Sequence, residues 1–200
     1  MAVNSLVKRL CEGLVIPATR TMEDFQFALE KAHSSNIIVL FGDIFTLPEI
    51  LKQAEAAKKL AIVHLDLING IAKDKAGIKY LALMGVKAVI TTKPHLGKIA
   101  HQEGMTVIQR LFLMDNEALR TGIHMMSTFK PDAIEVLPGL VPKNAIDKLS
   151  QATGLPILSG GLLCTEEDVN RALDSGICSV STSDRDLWKL PPRNGARKLK

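Results

Sequence analysis

Short runs of Ile, Val, Leu and Ala recur along the chain and alternate with longer stretches in which apolar residues are spaced by three or four. The apolar runs begin near Leu14, Ile37, Ala61, Lys87, Thr106, Ala133, Pro156 and Ile177. That is a recurrence of roughly 23 residues, the length of one strand plus one helix. Between them, residues 23–33, 48–59, 73–84, 116–129 and 166–176 have the apolar spacing of amphipathic helices. Start and stop signals accompany several of these: Thr46 with Pro48 in the first turn, Thr165 with Asp168 three positions on, and Gly85 or Gly176 at the exits.

Strands that are apolar throughout are buried on both faces, and helical crossovers between them make the sheet parallel. Eight such units predict an α/β fold of the small (β/α)8 TIM type, one barrel domain over residues 1–188 followed by a basic tail at 189–200. An open doubly wound sheet is the alternative, but it usually has five or six strands and no GxGxxG follows the first one.

In a barrel the residues after each strand gather at one face. The last two strand ends are the most informative. PILSGGLL at 156–163 offers Gly160 and Gly161, whose backbone N–H groups an anion can approach closely, and SVSTSDRDLW at 179–188 offers Ser181, Thr182 and Ser183 before a short helix capped by Ser183 or Asp184. Together they form a candidate phosphate site, with two tight turns and a helix cap as the purely structural reading. At the other strand ends Asp43, Asp66 and Glu135 supply carboxylates, and Lys93, Arg110 and Arg20 supply cations. These groups fit a structural ion-pair network, a polyol-binding cup or a general acid/base pair. No HExxH, GxSxG or Cys-His arrangement marks a catalytic centre, so no catalytic residue is assigned. His64 stands alone within a strand. A Mg2+ ion on Asp43, Asp66 and Glu135 rests on three scattered carboxylates only, and no metal site is assigned.

Charge changes the picture little. Of 25 Lys and Arg residues, five lie in 189–200, so the preceding chain carries 20 against 21 Asp and Glu. The tail reads as a solvated terminus, with contact to a phosphate backbone as the second reading. No membrane span or signal-like run is evident, and the three cysteines Cys11, Cys164 and Cys178 form no CxxC pair, so a cytoplasmic protein with ordinary buried or half-buried thiols is expected.

Seven blocks carry a resemblance: FGDIFTLPEI at 41–50, HLDLINGIAKD at 64–74, AVITTK at 88–93, TVIQRLFLMD at 106–115, IEVLPGLVP at 134–142, PILSGGL at 156–162 and STSDRDLW at 181–188. In order and spacing they resemble the glycerol uptake operon antiterminator regulatory proteins, from about Gly13 to Trp188. The resemblance implies a barrel that responds to glycerol 3-phosphate and acts on the leader of nascent messenger RNA, so that transcription passes a terminator in glycerol uptake and metabolism genes. It implies an effector and no cofactor. Asn69 stands where many members would carry an acid, and the segment after Trp188 lies outside the resemblance. The effector's phosphate suits Gly160, Gly161, Ser181, Thr182 and Ser183, and its hydroxyls suit Asp43, Asp66 or Glu135, with Lys93 or Arg110 adding charge. The second functional reading is a barrel enzyme of isomerase or aldolase type on a small phosphorylated substrate. The oligomeric state is left open, and a homo-oligomer is compatible with the pattern.

Overall fold

The computed structural model describes residues 5–12 and 15–192. Eight parallel strands close into a barrel in chain order: β1 (Val15–Thr19), β2 (Asn36–Val39), β3 (Leu60–His64), β4 (Ala88–Thr91), β5 (Thr106–Phe112), β6 (Ala133–Leu137), β7 (Ile157–Gly160) and β8 (Ser179–Thr182). The helices are α1 (Ser5–Leu10), α2 (Met22–Lys31), α3 (Leu47–Ala56), α4 (Lys75–Leu83), α5 (Pro94–Gln102), α6 (Asn116–Thr128), α7 (Lys143–Thr153) and α8 (Glu166–Asp174). The (β/α)8 architecture expected from the repeat is the architecture found. Among the described residues no helix is long and apolar enough to cross a membrane.

Every described residue of β1 to β4 is buried, as strands sandwiched between a filled barrel and a ring of helices must be. Inside the barrel, Ile16, Ile38, Ile62, Ile90, Ile108 and Leu158 pack together, and Leu10 and Cys11 at the end of α1 close the bottom. Cys11 and Cys178 lie 2.8 Å apart at sulfur and both are buried, whereas Cys164 is exposed. The Cys11 contact, followed by burial, pushes the Cys178 thiol well above its ordinary range.

The helix ends show which sequence signals act as read. Thr165 and Asp168 form a full capping box on α8: the Thr165 hydroxyl accepts from the Asp168 N–H, and the Asp168 carboxylate accepts from the Thr165 N–H. Thr165→Ala is therefore expected to lower stability by about 1 kcal/mol in urea unfolding, and an unchanged midpoint would show that the box does not stabilise the fold. Thr46 departs from expectation. It occupies the N-cap of α3 without a side-chain cap bond, because its hydroxyl is turned to Asp43.

The segment after β8 also differs. A single 3-10 turn, Leu187–Lys189, replaces the expected helix, and its N-cap is Asp186 instead of Ser183 or Asp184. Trp188 pins it down, fully buried with its indole N–H donating to the Thr182 carbonyl at 2.8 Å. Lys189, read as the first residue of the tail, belongs to this turn and sits over the Phe27 ring. The remaining basic residues Arg193, Arg197, Lys198 and Lys200 lie outside the described residues, as do the predicted strand start at Leu14 and the first resembling residue, Gly13.

Candidate effector site

Alternation along the strands places residues two apart on one face, so the groups continuing the inner cluster toward the C-terminal end are His64 above Ile62, Arg110 above Ile108, Glu135 above Ala133, Gly160 above Leu158 and Ser181 above Ser179. Strand register brings four of these together. Arg110 pairs with Glu135, Leu158 with both Glu135 and Ser179, and Gly160 with Ser181.

Glu135 is fully buried and is held from two sides. Arg110 Nε donates to its Oε2 at 2.5 Å, and Ser181 Oγ donates to its Oε1 at 2.7 Å. The Nε bond uses one of the five guanidinium donors, which leaves the others for the space that Arg110 lines. Gly160 has no room for a side chain, since a Cβ there would lie 2.2 Å from Ser181 Oγ and 3.2 Å from Glu135 Oε1. Gly160 therefore admits the Glu135–Ser181 bond and backs the site.

In front of this layer lies a cleft of about 440 Å³ at the ends of β1, β5, β7 and β8, lined by Arg20, Arg110, Gly161, Ser181, Thr182 and Ser183 among others. Its volume falls in the usual range for small-ligand pockets, roughly 300–1,000 Å³. Gly161 adopts φ +80° and Leu162 φ +59°, so two successive residues are left-handed, and the second is a strained conformation for leucine. The Gly139 N–H donates to the Gly161 carbonyl at 2.8 Å, and this fixes the β7 loop against the β6 loop. Thr182 Oγ1 donates to the Leu163 carbonyl at 3.0 Å and accepts from the Asp184 N–H, tying the loops after β7 and β8 together. Ser183 stays exposed at the cleft wall.

The other predicted rim residues are placed elsewhere. Asp43 caps its own turn, with Oδ1 accepting from the N–H groups of Phe45 and Thr46 and from the Thr46 hydroxyl. Those bonds, the Thr46 N–H first, hold its carboxyl below the ordinary range. Asp66 latches the end of β3 to the end of β4, accepting from the Thr92 N–H at 2.8 Å and from the hydroxyls of Thr91 and Thr92. Burial pushes the Asp66 carboxyl up, but these donors together with His64 outweigh it and bring it down. Lys93 is exposed at the N-cap of α5. Asp43, Asp66 and Glu135 thus do not converge, and no group of three or more His, Cys, Asp or Glu among the described residues is placed to hold a metal.

His64 is the residue that the sequence reading left aside. It is 3% exposed, its Nδ1 is buried without a hydrogen-bond partner, and Asp66 Oδ2 stands 3.8 Å away. Burial, then the charge of Arg110, lowers its pKa to about 4 against the pull of Asp66, so the ring is neutral at pH 7. Lys73 roofs the same corner, donating to the carbonyls of Leu65 and Ile68.

A closed eight-stranded parallel barrel, with a cleft at its last two strand ends that the half-buried Arg110 also lines, defines a barrel of the TIM class. The chain belongs to the glycerol-3-phosphate responsive antiterminator family, whose family model matches residues 15–188. A glycerol uptake operon antiterminator regulatory protein from Listeria monocytogenes strain 4b F2365 superposes with a TM-score of 0.82 at 33% identity, over 88% of this chain and 95% of that one. A glycerol uptake operon antiterminator-related protein from Thermotoga maritima MSB8 gives 0.79 at 29% identity, over 88% and 98%. Among curated sequences, the uncharacterized protein YgcP of Escherichia coli strain K12 is 32% identical over 186 residues, 92% of this chain and 96% of its own. Solved barrel enzymes, an aldolase at 10% and a decarboxylase at 15% identity, share the fold alone.

Proposed function

We propose that the chain is a glycerol 3-phosphate sensor that binds the leader of messenger RNA and so governs transcription of glycerol uptake and metabolism genes. The observation that carries this reading is the cleft in which Arg110 meets Gly161, Ser181, Thr182 and Ser183. A phosphate dianion is received there by the guanidinium, by backbone N–H groups of the left-handed β7 loop and by the Ser183 hydroxyl, with Gly160 behind. Asp43 and Asp66 are set aside as partners of the glycerol hydroxyls, because Asp43 accepts from its own turn and Asp66 from Thr91 and Thr92. Sensing needs no bond to be made or broken. It needs a ligand that binds one conformation better than another, so that occupancy shifts the population able to hold RNA.

The experiment is a mobility-shift assay of the full chain on leader RNA with and without glycerol 3-phosphate. Retention that depends on both the ligand and the leader sequence is expected; retention indifferent to the ligand would refute a sensor. Glu135 and His64, both buried, with the half-buried Arg110 at the strand ends favour one second reading, a barrel enzyme on a triose phosphate. Incubating protein with triose phosphates and with glycerol 3-phosphate is expected to return them unchanged by NMR. Turnover that disappears in Glu135→Gln would establish the enzyme instead.

A further inference from the structure

On the opposite side of the molecule from the cleft, a groove of about 560 Å³ runs between α3 and α4 toward the bottom of the barrel, where α1 closes it. Its polar lining consists of Arg9, Lys52, Lys58, Lys59 and Lys87 against a single carboxylate, Glu55. That is a local excess of four positive charges, although residues 1–188 as a whole carry 20 basic against 21 acidic residues. Backbone carbonyls fix two of the cations without neutralising them. Arg9 donates to the Ser35 carbonyl at 2.9 Å and the Lys58 carbonyl at 3.3 Å, and Lys59 donates to the carbonyls of Ala32 and Ser34, both at 2.7 Å. Lys87 lies 3.8 Å from Glu55.

The walls between the cations are apolar, Leu51 from α3 and Met84 from the end of α4. One helical turn before Met84, on the same side of α4, stands Tyr80, the chain's single tyrosine, with 45% of its surface exposed. A row of cations, two of them fixed by carbonyls, beside an exposed aromatic ring is a combination that suits a single nucleic acid strand: cations track the phosphates, and the ring accepts an unpaired base.

We infer that the α3–α4 groove is the surface on which this protein holds a single-stranded segment of RNA. The inference rests on the reading of the chain as an RNA-binding regulator and gives that reading a location. Phosphates lie along Lys52 and Lys58 with Arg9 and Lys87 at the ends, and one base stacks on Tyr80. The groove sits on the outer and lower side of the barrel, so RNA and effector are held at the same time.

Fluorescence anisotropy of the full chain with a labelled 20-nucleotide oligouridine, between 50 and 200 mM KCl, separates the two kinds of contact. Lys52→Gln/Lys58→Gln is expected to flatten the slope of log affinity against log salt by about 1.4, roughly 0.7 for each lost phosphate contact on a single strand. Tyr80→Ala is expected to weaken binding about tenfold and leave the slope unchanged, because a stacked base carries no counterion release. Both variants are expected to keep wild-type affinity for glycerol 3-phosphate in calorimetry, which reports an intact fold and an intact cleft. A double lysine variant with the wild-type slope overturns the groove while leaving an RNA-binding protein. A groove that binds polyglutamate through the same lysines, with RNA affinity untouched by either variant, is a site for an acidic protein and overturns it as well. Wild-type protein that binds neither oligouridine nor leader RNA removes the RNA reading itself, and the groove's assignment with it.

Discussion

Arg110→Met is expected to lower stability by about 3–5 kcal/mol, the cost of leaving a buried carboxylate without its cation. Arg110 keeps 12% of its side-chain surface exposed and Glu135 keeps none, so water cannot take over the lost partner. Ser181 would remain as a donor to one oxygen only. The methionine preserves most of the stem volume, so the loss reports charge and hydrogen bonding more than packing. Adding Glu135→Gln to Arg110→Met is expected to restore most of the stability, because the buried group is then neutral. Urea unfolding of the two variants and the wild type measures both effects. A loss below about 1 kcal/mol in the single variant, or no recovery in the double one, would mean that the pair does not organise the top of the barrel.

The second large effect concerns pH. His64 titrates near 4 in the folded protein and near 6.5 in an unfolded chain, so between those values the unfolded state holds a proton that the folded state does not. Stability from this group is complete above about pH 6.5 and is lost progressively as the pH falls toward 4. The loss approaches about 3 kcal/mol, at roughly 1.4 kcal/mol for each pH unit within the window. Asp66, lowered from 3.8, loses its contribution only at more acid pH and so leaves this window clear. Urea unfolding at pH 7, 5.5 and 4.5 is expected to give a steep dependence for the wild type and a much flatter one for His64→Gln. Equal slopes in the two proteins would mean that the ring is protonated in the fold.

These effects concentrate at positions that the sequence made legible to different degrees. Most strands were readable because burial on both faces makes their residues mainly apolar; β8, expected from Ile177, begins at Ser179 and has Val180 as its one apolar residue. The expected helices at 23–33 and 116–129 fall close to α2 (Met22–Lys31) and α6 (Asn116–Thr128). By contrast α7 buries only Ile146 and Leu149, and α5 carries Gly97 in its middle, where Phe129 and Val107 approach within 3.0 and 3.2 Å of a Cβ position. Yet α2 and α8, which were read from the pattern, also bury only two side chains each, so a narrow buried face does not by itself explain why α5 and α7 were missed.

Within the site, position after a strand indicated the face of the barrel but not what a short side chain would meet there. Asp43 and Asp66 are at that face, yet Thr46 in one loop and Thr91 and Thr92 in the other supply donors nearer than any ligand could be. Glu135 and Arg110 lie within strands, where register decides their partners, and those two are joined. His64 was readable in principle. Its alternation with Leu60 and Ile62 places it inside the barrel, but an otherwise apolar strand gives no second polar position against which that alternation stands out.

Isothermal titration of glycerol 3-phosphate tests the effector cleft most directly, carried out on the wild type, on Ser183→Asp and on Asp43→Asn. Ser183 is exposed at the cleft wall, so a carboxylate there opposes the phosphate without disturbing the buried layer. Asp43→Asn keeps an acceptor for its turn and lies outside the cleft. The wild type and Asp43→Asn are expected to bind alike, and Ser183→Asp at least about tenfold more weakly, the equivalent of one close like-charge contact near a protein surface. Undiminished affinity in Ser183→Asp would contradict the placement of the phosphate at the ends of β7 and β8.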